Sequence, residues 1–323
     1  MRKSLAAISL AIAGTLSMFH AACRAQDYPA RQVRLEVGFP PGGGNDLLAR
    51  LLGAELERAL GQPFIVENRP GAQGFIAFNT VKTANPDGYT LLIGPSSGMT
   101  VNPEVYRTLP YDAIKDFAPI SLIGAFPLIV TAAPKAPFGT LKALISAAKS
   151  QPGTINYASA ASSFQLATEM FAQQAGINLH NIPYKGSAQS VQAVMGNQVP
   201  LTFADSAAVI AEIKSGALRA LAVTSKTRVP TLPEVPTVAE AGLPGYEMVL
   251  WSGLFAPAGT PRDIVDTLQR AVAQAIHAPQ MQEKLQLLGV MPVGSTADEL
   301  ADTMQRQISE YTRVAKTANI TVD

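Results

Sequence analysis

From Gln32 onward the chain alternates short apolar runs with amphipathic helical patterns, and this alternation restricts the architecture more than any other feature. Strand-like runs at Val33–Phe39, Phe64–Glu67 and Tyr89–Gly94 are separated by helical periodicity over Leu47–Leu60 and Phe75–Thr83. A second series follows Pro137, with helices over Leu141–Lys149, Phe164–Gln174, Ala188–Met195 and Ala207–Lys214. Its strands fall at Ile155–Ala158, Asn181–Tyr184, Leu201–Ala204 and Leu218–Thr224. Such strand–helix–strand units require right-handed crossovers and a parallel sheet. The spacing therefore predicts an α/β protein of two lobes of similar size.

After Pro230 the pattern reads as mostly helical. Thr260-Pro261-Arg262-Asp263 offers a cap, a first-turn proline and a first-turn acid, and Thr296-Ala297-Asp298-Glu299 reads as a capping box. Prolines at 110, 119, 127, 134 and 137 mark one crossing between lobes, and prolines at 230, 233 and 236 follow another. Crossings are expected near Gly124–Val130 and Ala220–Thr224. Residues 26–124 and 225–323 would then form one lobe, and 125–224 the other. Two crossings make a hinge about which a cleft closes.

The first 25 residues carry Arg2 and Lys3, an apolar run from Leu5 to Phe19, and a small-x-small pattern at Cys23-Arg24-Ala25. That is the pattern of a secretory signal peptide, with cleavage expected after Ala25; lipidation at Cys23 is the lesser alternative. No later stretch reaches the ~20 apolar residues of a spanning helix. Cleavage would remove the one cysteine of the chain and leave 22 basic against 24 acidic residues, a net charge of −2. Disulfides and thiolate chemistry are thereby excluded from the exported chain, and nothing in the balance points to nucleic acid or an anionic membrane. Two isolated histidines, His180 and His277, offer no dedicated metal site.

Phe39-Pro40-Pro41-Gly42-Gly43-Gly44-Asn45-Asp46 joins the first strand to the first helix. Glycines let the backbone approach a ligand, and a helix start presents unpaired N–H groups, so the loop reads as a carboxylate or phosphate cradle. No lysine follows the glycines and Leu47 stands where a dinucleotide fingerprint needs glycine, which sets both nucleotide-binding motifs aside.

The order of these blocks resembles the TctC/Bug family, the extracytoplasmic solute-binding receptors of tripartite tricarboxylate transporters. The resemblance runs through 39–46, 67–74, 86–92, 102–103, 109–112, 116–117, 119–120, 183–186, 218–224, 232–238 and 256–261, essentially the whole exported chain. It implies a type II periplasmic-binding fold of two α/β lobes with a ligand cleft and a two-strand hinge. It further implies a small carboxylate ligand held by backbone N–H groups and small side chains without an arginine clamp. The implied partners are the permease subunits of such a transporter, with the receptor a monomer requiring no cofactor. The positions carried over are Phe39, Pro41, Gly42, Gly43, Asn45 and Asp46; Gly71, Ala72 and Gly74; Ser96 and Ser97; Ser159, Ser162, Ser163 and Gln165; Tyr184, Lys185 and Gly186; and Asp205. Gln165 departs from the histidine usual in the family, so the ligand is less transferable than the fold.

Bland roles compete at several of these positions. One of Ser159, Ser162 and Ser163 is expected to cap the following helix, and Asp205 to cap Ala207–Lys214 or meet ligand. Trp251 is expected in the core, and Arg69 to pair with Glu67 or Asp87. An enzyme signal also exists: Gly94-Pro95-Ser96-Ser97-Gly98 matches the Gly-x-Ser-x-Gly nucleophile elbow. A hydrolase needs a helix directly behind Ser96, and Pro103 leaves little room for one. A serine hydrolase, or a sensor for a signalling partner, is the alternative to a transport receptor.

Overall fold

A computed structural model describes residues 28–318; the leader, with its cleavage site and Cys23, lies outside the described residues. The first lobe is built on β1 (Val33–Val37), β2 (Phe64–Asn68) and β3 (Thr90–Pro95), which are mutually parallel. Helices α1 (Gly44–Leu60) and α2 (Phe75–Lys82) make the crossovers. α1 begins three residues before the apolar periodicity suggests, because Gly44, Asn45 and Asp46 carry no apolar signal yet take helical backbone. Its stripe of Leu48, Leu52 and Leu56 is fully buried against the sheet. Burial of one leucine contributes about 1.5–3 kcal/mol, so Leu52→Ala is the single change that would loosen this helix most directly.

The sheet is mixed, not parallel as the alternation suggests. β9 (Val249–Pro257) runs antiparallel between β3 and β4 (Phe117–Ala132), in a stretch expected to be helical. Neither strand alternates in hydropathy, because β9 is buried on both faces and β4 nearly so. β4 carries Pro119 and Pro127, and its register with β9 shifts beside Pro119, where a missing N–H costs least.

β4 is also the first crossing. Residues up to Pro127 pair with β9, whereas Leu128–Ala132 pair with β7 (Leu201–Asp205) and β8 (Arg219–Val223) of the second sheet. That sheet is completed by β5 (Asn156–Ser159) and β6 (His180–Pro183), both parallel to its frame, and covered by α4 (Leu141–Ser150), α5 (Ser162–Ala175), α6 (Ser187–Met195) and α7 (Ser206–Lys214); α3 is the short turn Asn102–Val105. The second crossing does not lie at 220–224. The chain after β8 stays beside the second sheet: Val238 N–H bonds Val223 O, and Tyr246 Oη donates to Ala167 O in α5. It returns at Met248, whose N–H bonds Thr224 O, next to the Pro127 and Val249 pair.

The tail packs α8 (Arg262–His277), α9 (Pro279–Leu287) and α10 (Ala297–Ala318) on the first lobe, with the two-residue strand β10 (Met291–Pro292) on β4. The capping box is formed: Thr296 N–H reaches Glu299 Oε2 at 2.8 Å and Glu299 N–H reaches Thr296 Oγ1 at 3.2 Å. Thr260 does not cap α8, whose N-cap is Pro261; its hydroxyl donates back to Pro257 O.

Candidate functional site

Each sheet ends its strands at the same gap, and the helices that follow start there. Five helical segments begin at the cleft: α1, the π-helical turn Ser97–Val101, α5, α6 and α7. Helix first turns carry N–H groups with no acceptor inside the helix and partial positive charge, so the field at the gap favours an anion, and Asp205 already takes those of Gly44 and Ala208. Among the described residues, no lysine, arginine or histidine lines the cleft.

Gly42 sits at φ 88°, and its N–H donates to Asp46 Oδ2 at 3.0 Å. Gly44 lies so close to the second lobe that a Cβ there would stand 2.5 Å from Asp205 Oδ1. Asn45 accepts a hydrogen bond from Ser252 of β9 through Oδ1. Asp46 is a structural anchor: burial would raise its pKa, but hydrogen bonds from Arg50, Gly42 N–H and Asn68 hold the carboxyl below the usual range. Pro41 does not line the cleft.

On the opposite side, Asp205 caps α7 through Ala208 N–H at 3.0 Å and accepts the Ser187 hydroxyl at 2.5 Å. It is 1 % exposed. Burial pushes its pKa upward, against the pull of Ser187 and of the N–H groups of Ala208 and Gly44. A protein carboxylate thus already faces the start of α1 from the other lobe. Ser162 also bridges the lobes, donating to Asn102 Oδ1 at 2.5 Å. Pro40 meets Gly186, where a Cβ would lie 3.0 Å from the proline Cδ. These contacts describe lobes closed on each other.

No serine caps α5. Its N-cap is Ala161, Ser162 is spent on Asn102, and Ser159 lies buried at the end of β5. Ser163 Oγ is buried, lines the cleft and has no hydrogen-bond partner. A buried hydroxyl left unpaired costs roughly 1–3 kcal/mol, which a ligand atom would recover. Gln165 is not among the residues that line the cleft.

The cleft therefore gathers Phe39, Gly43, Asn45, Asp46, Ser96, Ser97, Ser163 and Asp205 from the expected set. Gly71, Ala72, Gly74, Tyr184 and Lys185 do come together, but in a second groove that shares no lining residue with the first. Sequence reasoning missed Phe126 and Leu250 and placed Trp251 in the core, whereas Phe164 and Ser187 fall inside the loops 159–165 and 184–187 expected at the ligand. Phe126, Leu250 and Trp251 come from β4 and β9, the strands that hydropathy did not reveal. Ser187 carried a readable signal, a serine opening a helix after glycine. Arg69 pairs with Glu36 at 2.6 Å as well as with Glu67, while Asp87 takes Arg31.

Contrary to expectation, helical backbone does follow Ser96 directly, with Pro103 accommodated at the start of α3. The glycines of the apparent elbow have packing causes: a Cβ at Gly98 would lie 2.1 Å from Phe78, and at Gly94 2.7 Å from Phe255. Ser96 Oγ accepts a long bond from Trp251 N–H at 3.4 Å. His180 and His277 are exposed, and His277 is bonded to Ala273 O.

The family model for the tripartite tricarboxylate transporter family receptor, TctC, matches residues 48–320. The chain belongs to the TctC family. BugT of Bordetella pertussis is 37% identical to this TctC protein over 313 residues, covering 95% of each chain. A protein from the tcbD–tcbE intergenic region of a Pseudomonas species is 35% identical over 316 residues, covering 97% of this chain and 93% of its own. Among solved structures, R. palustris Rpa4515 with adipate superposes with a TM-score of 0.89 at 37% identity, covering 91% of this chain and 99% of that one. MatC from Rhodopseudomonas palustris with bound malate follows at 0.84 and 32%, covering 89% and 99%. TctC proteins are solute-binding receptors, not enzymes, and the two-lobed fold is that of periplasmic binding proteins such as BugD.

Proposed function

We propose that this receptor captures a small organic carboxylate in the cleft of Phe39, Ser96, Ser163 and Asp205, and delivers it to the membrane permease subunits of a tripartite transporter. It acts as a periplasmic monomer after removal of residues 1–25. The lobes we assign are residues up to 127 together with those from 249, and residues 128–248, on the hydrogen bonding described above. The observation that carries the reading is the unpaired, buried Ser163 hydroxyl in a cationless gap where five helical segments begin. Ligand touching both lobes only when they are closed stabilises closure by its differential affinity for that state. The adipate and malate found with Rpa4515 and MatC are in keeping with such a ligand.

The test is thermal unfolding of the exported chain, refolded to remove carried ligand, against dicarboxylates, tricarboxylates, acidic amino acids and aromatic acids. A ligand at 100 times its Kd adds about 2.7 kcal/mol of stability. A rise in Tm with any class supports the reading, and a flat response to all of them from folded protein refutes it.

A further inference from the structure

The lining of the cleft constrains the ligand beyond its carboxylate. Phe39, Phe126, Phe164, Leu250 and Trp251 supply a wall of large apolar side chains, four of them aromatic. Phe126, Leu250 and Trp251 are at most 3 % exposed, each packed into the core behind the cleft that it also lines. One buried donor, Ser163 Oγ, awaits a partner. The anions in the lining are Asp46, which Arg50 neutralises at 2.8 Å, and Asp205, which accepts from the uncharged Ser187 hydroxyl and Ala208 N–H.

A carboxylate can be satisfied by helix-start N–H groups and one hydroxyl, but a second one has a poorer outlook. It would lose water against aromatic faces with no cation to meet it, and it would close down beside Asp205. Either Asp205 remains ionised and repels it, or Asp205 takes a proton, and both routes cost binding energy. A flat apolar body suffers neither penalty and gains from ring-on-ring packing.

Resting on the receptor reading above, we propose that the ligand is a monocarboxylate with an aromatic or alicyclic body, held by its one carboxylate near Ser163 and by its ring among Phe126, Phe164 and Trp251. This separates the receptor from its adipate- and malate-bound relatives. Phe126 and Phe164 are then the residues that set specificity, and Asp205 is the group that turns away a second charge.

The experiment is calorimetric titration of the refolded receptor at neutral pH with benzoate, cyclohexanecarboxylate, adipate, malate and citrate. Benzoate or cyclohexanecarboxylate is expected to bind roughly tenfold or more tighter than any of the polyacids, the scale set by burying one ring. Phe126→Ala and Phe164→Ala should each erase most of that preference. Asp205→Asn, whose amide oxygen keeps the α7 cap, should raise affinity for adipate relative to benzoate. Tighter binding of adipate, malate or citrate by the parent overturns this inference and leaves the receptor reading intact. Failure of every acid overturns both.

Discussion

Replacing Gly44 with alanine isolates closure from folding. Gly44 has helical backbone in the first turn of α1, so alanine fits it without strain and favours the helix by up to about 1 kcal/mol. The cost falls on the other lobe. The new Cβ would stand 2.5 Å from Asp205 Oδ1 and 3.1 Å from its Cγ, where ordinary contact begins at 3.4 Å, so the lobes must part locally by about 0.9 Å. Asp205 does not swing aside cheaply, because Ser187 and Ala208 N–H hold it. Overpacking of this kind costs about 1–3 kcal/mol, which lowers affinity roughly 5- to 150-fold. The readout is the fluorescence of Trp251, the one tryptophan of the chain, which lines the cleft. Titration with benzoate and with adipate, alongside Tm, should show weaker binding of whichever acid binds the parent and an undiminished Tm. Gly61→Ala is the counterpart: at φ 72° with nothing within 4 Å, it should lower Tm and leave binding alone. Affinity within twofold of the parent for Gly44→Ala would show that the approach of Asp205 to α1 is no part of the bound state.

Three further outcomes are expected. Ser163→Ala removes a hydroxyl with no protein partner, so Tm should hold or rise while affinity falls by about 0.5–1.5 kcal/mol, the net worth of one hydrogen bond; calorimetry and melting of the same sample decide it. Ser162→Ala cuts a bond between lobes, and small-angle scattering of ligand-free protein should report a larger radius of gyration than the parent; an unchanged radius would mean the bond does not hold the lobes together. Asp46 has its folded pKa depressed, so its contribution to stability is present above the ordinary carboxylate value and is lost as pH falls through the lower folded value. Asp46→Asn should therefore be less stable than the parent at neutral pH, with the gap narrowing below about pH 4; a gap independent of pH would exclude the ionic account.

The sequence disclosed what periodicity and backbone chemistry can disclose. Val33 to Val37, Leu48 to Leu56 and the second-lobe units fall within a few residues of where hydropathy puts them, and Thr296 and Glu299 form the capping box their spacing suggests. The cleft was half legible, through residues at strand-to-helix junctions such as Gly43, Ser96, Ser163 and Asp205. Its aromatic wall was not. Phe126 and Trp251 lie on strands buried on both faces, so no alternation marks them, and they meet through the pairing of β4 with β9 across more than a hundred residues of chain. Glycine was ambiguous for the same reason: Gly44 and Gly98 are both demanded by a neighbour, but one neighbour is the opposite lobe and the other is Phe78 of the core.

β4 passes from one sheet into the other without a break, and beside it the hydroxyl of Thr224 donates to Met248 O at 2.5 Å while accepting from Leu128 N–H at 2.8 Å. Opening is therefore torsion of a covalent ribbon with a cross-tie at its midpoint, and no surfaces need slide. A ribbon of this kind returns when released.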